Sequence, residues 1–188
     1  NVNSFTSEKI KSFIDKNYST DQMVISIVSS IDCDKWFRLA EKYFGIYEKK
    51  TNKKQREKAV MLPAITNIYD RDTYQSHAVI GTVSYGYKDK KKAAFSLLNN
   101  MLGGWAMNSF LNMHIREKYG FTYTIESNYT AYSDVGVFSI YAGTDKKYMD
   151  KTLRLINKEL EKFTQNPLAE KTLQKFKQQM KGQLAITC

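Results

Sequence analysis

The hydrophobic patterning of the chain predicts an α+β fold, a largely antiparallel sheet with helices packed on one face. From Ala64 onward the periodicity runs strand, strand, helix, helix, strand, strand, helix, helix, with glycine, proline or short polar turns at the breaks. The apolar share, 42% of 188 residues, is enough to build a core beneath such a layer.

The elements follow in order. Thr6 stands as an N-cap, and Ile10, Phe13, Ile14 and Tyr18 keep the three-four spacing of one buried face, so a first helix is expected to end near Asn17. Met23 to Val28 is a β-branched apolar run that predicts a central strand covered on both faces. Asp32 or Asp34 then caps a helix carrying Trp36, Phe37, Leu39, Ala40, Tyr43 and Phe44, stopped by Gly45. Residues 48–58, EKKTNKKQREK, contain no apolar side chain and carry six Lys or Arg less two Glu, a net +4. They predict an exposed basic linker, here bounded as 47–62, between a first unit at 1–46 and a second at 63–188.

After Pro63, Ala64 to Tyr69 and Gln75 to Tyr85 predict a strand pair around the Asp70-Arg71-Asp72-Thr73 turn. A helix from about Asp89 presents Ala93, Ala94, Leu97, Leu98, Met101 and Leu102 on a helical period and ends at Gly103-Gly104. A shorter helix from Asn108 or Ser109 to Lys118 stops at Gly120. In the strand that follows, Tyr123, Ile125, Ser127 and Tyr129 are expected to share one face. Val137 to Ala142 is its antiparallel partner across the Ser133-Asp134-Val135-Gly136 turn. Asp145 is expected to cap a helix ended by Asn166-Pro167, and a last helix runs from Leu168 to about Ile186.

Composition narrows the function. A formal charge of +10 suits an anionic partner, but lysines are spread along almost every polar segment, which predicts a solvated surface and neither a nucleic-acid nor a membrane patch. A basic module binding nucleic acid through residues 49–58 and exposed tyrosines is the weaker alternative, and steep salt dependence of binding is its mark. Cys33 and Cys188 form no disulfide framework and no CxxC site. No apolar run approaches the roughly 20 residues of a membrane span. The opening NVNSFTSEK has neither an initiator Met nor a leader pattern, as in a piece cut from a longer protein.

Candidate chemistry is sparse. His77 and His114 are the two histidines, no HxxEH or HxxxH occurs, and neither has a second ligand at metal spacing, so no metal site is expected from this chain. There is no GxSxG, GxGxxG or P-loop, and Asp134 and Glu126 read as turn or surface carboxylates. The exception is Arg116 at a helix end with Tyr123 early in the next strand. Such a pair can present a guanidinium and a phenolic O–H to one point, suited to a backbone carbonyl or a developing oxyanion. An Arg116–Glu117 ion pair and a tyrosine capping the core are the ordinary alternatives.

The run LGGWAMNSFLNMHIREKYGFTYTIESNYTAYSDVGVFSIYAGTD closely resembles the non-catalytic-half signature of the pitrilysin/insulinase family of zinc metallopeptidases, inverzincins that include the mitochondrial processing peptidases. The resemblance rests on Gly103, Gly104, Ser109, Arg116-Glu117, Gly120, Tyr123 seven residues after the arginine, the Ser133 to Gly136 turn, and Tyr141 to Asp145. It covers almost the whole chain, since residues 5–45 look like the closing helix-strand-helix of the family's preceding domain. It implies a part of a zinc-dependent metalloendopeptidase that forms the substrate-binding wall opposite the zinc site, with Arg116 and Tyr123 acting on the peptide carbonyl or oxyanion and Gly103, Gly104 and Ser109 binding substrate. A catalytically inactive partner or scaffold subunit that binds polypeptide is the alternative.

The resemblance further implies that zinc is bound by an upstream domain, so this chain alone should be inactive. The implied partners are an extended peptide, the zinc-bearing domain or subunit, and a second copy or related subunit; an exported or periplasmic bacterial address is favoured. Trp105 and Phe110 depart from the family pattern, which has smaller or polar residues there, so the wall beside the glycine pair is expected to differ. The resemblance also implies that the second domain, as it stands in 63–188, is expected to lack the family's final strand and helix. The Met23 to Val28 strand is therefore expected to complete the sheet, in cis or as a swapped dimer.

Overall fold

The computed structural model describes residues 2–51, 57 and 59–187, and the chain divides into two units, Asn1–Glu57 and Lys58–Cys188. Part of the expected basic linker, residues 52–56 and 58, and Cys188 lie outside the described residues.

In the first unit, α1 (Ser7–Asn17) is capped by the Thr6 hydroxyl, which accepts from the Lys9 N–H at 3.3 Å. Helix α2 (Cys33–Phe44) is capped by Asp32, whose carboxylate accepts from the Asp34 N–H at 2.9 Å. Both helices have the expected bounds, yet neither buries a residue. Met23–Val28 is not a strand: it makes no ladder among the described residues, and Val24 and Val28 are fully or almost fully exposed. β-branched content favours an extended backbone, but ladder hydrogen bonds come only from a neighbouring strand.

The second unit is built on β1 (Ser76–Ser84), β2 (Thr122–Ala131) and β3 (Gly136–Thr144), paired antiparallel in the order β1-β3-β2. The second strand of the predicted pair forms as β1, but Ala64 to Tyr69 does not form its partner; Ile65 and Ile68 are exposed and make no ladder among the described residues. In the β1–β3 register Ile80 lies opposite Ile140, and in the β2–β3 register Ile125 lies opposite Ala142. These inward positions meet Leu102 of α3 (Lys92–Gly103), Leu111, Ile115 and Ile156 of α4 (Met149–Gln165) in one core cluster. The helices thus cover one face of the sheet, while Val79, Val83 and Val137 on the opposite face remain exposed.

Helix α5 (Glu170–Thr187) lies against α3, where the Asn100 side-chain amide donates to Gln183 Oε1 at 2.9 Å, and Phe176 sits 5.5 Å from the Phe110 ring. No described helix is long and apolar enough to cross a membrane.

Ile140 is 1% exposed at the centre of the middle strand. Ile140→Ala should lower unfolding free energy by about 2–5 kcal/mol in urea denaturation, whereas Val79→Ala, on the open face, should change it by less than about 0.5 kcal/mol.

Candidate functional site at the start of strand β2

Two backbone irregularities flank Gly120. Before it, residues Asn112–Glu117 form a π-helical turn that carries His114, Ile115 and Arg116. Such turns are rare and concentrate at functional sites. Gly120, at φ +66°, ends the helix in the left-handed region, and its N–H donates to the Arg116 carbonyl at 2.9 Å. After it, the β2–β3 register slips between Thr122 and Thr124, so Tyr123 is the extra residue of a β-bulge.

The bulge corrects the expected alternation. Thr122 and Ile125 are buried, while Tyr123 and Thr124 between them are both exposed. Tyr123 therefore leaves the core face held by Ile125, Ser127 and Tyr129. An uninterrupted period of two would have turned it under the helices. Neighbouring contacts fasten the turn in place. The Thr144 hydroxyl donates to the Phe121 carbonyl at 2.6 Å, and the Phe121 ring stacks on Tyr148 with centroids 4.8 Å apart.

Tyr123 is 49% exposed, and its O–H donates to Asp145 Oδ1 at 3.0 Å. That hydrogen bond, with the nearby carboxylate charge, raises the phenol above its ordinary value of 10.0. Asp145 occupies the N-cap position of the short 3-10 turn Lys146–Tyr148, but its side chain makes no capping bond. The expected helix cap is a tyrosine acceptor instead. Arg116 is half-buried and forms no ion pair or side-chain hydrogen bond among the described residues, so the Glu117 pairing does not occur. Arg116 and Tyr123 stand on either side of the Gly120 turn and are not hydrogen-bonded to each other.

Gly103, Gly104 and Ser109 are buried. A Cβ on Gly103 would lie 2.6 Å from the Ser127 amide nitrogen and 2.9 Å from Leu111 Cδ1, so the end of α3 approaches β2 too closely for any side chain. A Cβ on Gly104 would meet the Asn100 carbonyl at 2.7 Å. Ser109 Oγ accepts from the buried Asn112 amide at 2.8 Å and anchors the loop whose tip, Trp105, is 95% exposed. Phe110 turns inward, edge-on to Phe163 with centroids 5.0 Å apart.

Neither histidine stands in a metal-binding group. His77 Nδ1 is 2.7 Å from the Tyr141 hydroxyl on the open face of the sheet, and His114 Nδ1 is 2.7 Å from Glu159 Oε2. No group of three or more His, Cys, Asp or Glu that could hold a metal ion occurs among the described residues, so those residues do not fit a zinc site. Residue patterning alone missed the Asp145 acceptor and the Glu159 carboxylate, which takes hydrogen bonds from His114 and from Lys162 at 2.5 Å. The YAGTD run does end on Asp145, but reading that residue as a cap hid it.

The geometry defines a class first: an antiparallel sheet covered by helices on one face, with Arg116 on a π turn and Tyr123 on a β-bulge, and no metal-binding group among the described residues. Residues 4–180 match the model of the peptidase M16 inactive domain, and the chain belongs to that family. It is 31% identical to an uncharacterized zinc protease of Rickettsia felis over 98% of the chain and 44% of the relative. It is 29% identical to the uncharacterized zinc protease YmxG of Bacillus subtilis, again over 98% of the chain and 44% of the relative. The chain thus spans less than half the length of these relatives.

Among solved structures, a peptidase M16 inactive domain from Pseudomonas fluorescens superposes with TM-score 0.78 at 22% identity, over 97% of this chain and 44% of that one. A protease from Helicobacter pylori gives 0.77 at 20% identity, over 98% and 46%. These two share the fold.

Gly103→Ala should destabilise the protein by about 1–3 kcal/mol through the clash with β2, read as a lower urea midpoint. A second expectation concerns acid. Burial opposes ionisation of Glu159, but hydrogen bonds from Lys162 and His114 outweigh it and hold the carboxyl below its ordinary value of 4.5. A depressed folded value means that ionised Glu159 stabilises the fold above about pH 4.5, and that this contribution is lost as pH falls through the folded value. Glu159→Gln should therefore flatten the fall in stability between about pH 5 and 3, measured by denaturation at a series of pH values.

Proposed function

We propose that this chain is the substrate-facing, non-metal half of a zinc-dependent metalloendopeptidase, in which Arg116 and Tyr123 donate to the carbonyl of the bound peptide and to the oxyanion formed from it. The observation that carries the reading is the pair of irregularities. A π turn carries the arginine and a β-bulge takes the tyrosine out of the strand alternation, one on each side of Gly120. The absence of an ion pair at Arg116 among the described residues supports it, because a guanidinium held for a substrate oxygen is not neutralised by its neighbours. The relatives named as zinc proteases support it as well.

The zinc and the residues that bind it belong, in this reading, to the other half of the parent protein. What this chain supplies is orientation and charge. Strands β1 and β2 each have one edge unpaired within the three-stranded sheet, and such an edge can receive an extended peptide by strand addition. Gly103, Gly104 and Ser109 contribute through the shape of the 104–109 loop, on which Trp105 offers an exposed apolar platform. Residues 1–46 close the preceding domain, with 47–62 as the connection to the 63–188 domain.

In the parent protein with its metal-bearing half, Arg116→Ala and Tyr123→Phe should each lower kcat for peptide cleavage by roughly 10- to 1000-fold, with little change in the thermal midpoint. A kcat equal to wild type in both variants overturns the assigned roles, and no cleavage by the wild-type parent itself points instead to a catalytically silent, polypeptide-binding subunit.

A further inference from the structure

Tyr123 has one proton to donate, and in this structure that proton is engaged. A phenol carries one O–H donor, and here it points at Asp145 Oδ1, 3.0 Å away. A carbonyl oxygen and the oxyanion formed from it can only accept. The carboxylate of Asp145 and the substrate oxygen therefore compete for the same hydrogen. Three independent features show that the contact is built. The β-bulge inserts Tyr123 between the Thr122–Thr144 and Thr124–Gly143 pairs, beside the strand end where Asp145 follows Thr144. Asp145 sits at an N-cap position, where aspartate ordinarily accepts from its own turn, yet its side chain makes no such bond. Thr144, next to Asp145, anchors the Phe121 carbonyl, which fixes the spacing between the two segments.

We propose that Asp145 is the positioning residue of Tyr123: it directs the single phenolic proton toward itself and away from the substrate, and engagement of the substrate requires the carbonyl oxygen to displace the carboxylate as acceptor. The inference rests on the reading of Tyr123 as a substrate-binding donor. An ionised acceptor holds a hydrogen bond roughly twice as strongly as a neutral one, so the resting arrangement favours Asp145 over a ground-state carbonyl. The proton is released as negative charge develops on the substrate oxygen and the two acceptors become comparable. Weakening Asp145 as an acceptor, without removing its shape, should therefore free the hydroxyl.

Asp145→Asn is the variant that does this, and two measurements read it. In the first, the isolated chain or the parent is labelled with 13C at tyrosine Cζ, the Tyr123 resonance is assigned with Tyr123→Phe, and its titration is followed with pH. Asp145→Asn should move the midpoint downward, since the bond that holds the phenol above its ordinary value is weakened. In the second, peptide cleavage by the parent protein is measured for Asp145→Asn, Tyr123→Phe and the double variant. Asp145→Asn should raise kcat/KM about three- to tenfold and should have no effect when Tyr123 is already phenylalanine.

An unmoved titration overturns the inference whatever the cleavage rates. A moved titration with a lower kcat/KM overturns the competition, since it makes Asp145 a support of the active orientation. An effect of Asp145→Asn that persists in the Tyr123→Phe background shows that it acts elsewhere and also overturns the inference. Wild-type cleavage in Tyr123→Phe itself removes the catalytic role of the tyrosine. The titration then still reports whether Asp145 directs its proton, so the two failures remain distinct.

Discussion

Everything in the second unit depends on how β3 pairs with its two neighbours. As the middle strand it contributes Ile140 and Ala142 to the core and fixes which residues of β1 and β2 join them. With a side-chain period of two, a uniform slip of one residue would send Ile125 to the open face. The protein instead confines the slip to one bulge at the start of β2. Ile125 stays under the helices, and Tyr123 is turned outward beside Thr124. Core packing and site geometry are thus two consequences of one register.

The neighbouring glycines serve the same end in different ways. Gly103 lets α3 finish against the backbone of β2, which brings Leu102 into the core beside Leu111. Gly120 supplies the left-handed conformation that reverses the chain between the π turn and β2. With Ile115 buried, the arginine one position later is carried round to a half-buried setting. The polar residues Thr144 and Ser109, both buried, hold the flanking segments by hydrogen bonds at 2.6 Å and 2.8 Å. Arg116 and Tyr123 depend on such backing for their placement, because their own side chains are long or exposed.

Much of this was legible in the order of residues. Apolar residues at helical spacing marked α3 and α4, Thr6 marked the start of α1, and the turn at Ser133 to Gly136 marked the hairpin of β2 and β3. The family resemblance in the 103–145 run agrees with the match over residues 4–180. An apolar run alone is not sufficient for a strand. Met23 to Val28 and Ala64 to Tyr69 have the composition, but a strand is completed by a partner that its own residues do not encode. The bulge escaped for a related reason: nothing in Thr122-Tyr123-Thr124 departs from ordinary strand composition.

The sequence by itself determined the periodicities, the glycine breaks and the presence of Arg116 and Tyr123 seven residues apart, because these follow from side-chain size, branching and backbone freedom within a few neighbouring residues. Only the tertiary structure decided that Tyr123 faces outward and that its proton is directed at Asp145. That pairing joins residues 22 apart in the chain across a β-bulge. Its existence depends on the strand register, and register is a property of the folded sheet and of the core that selects it.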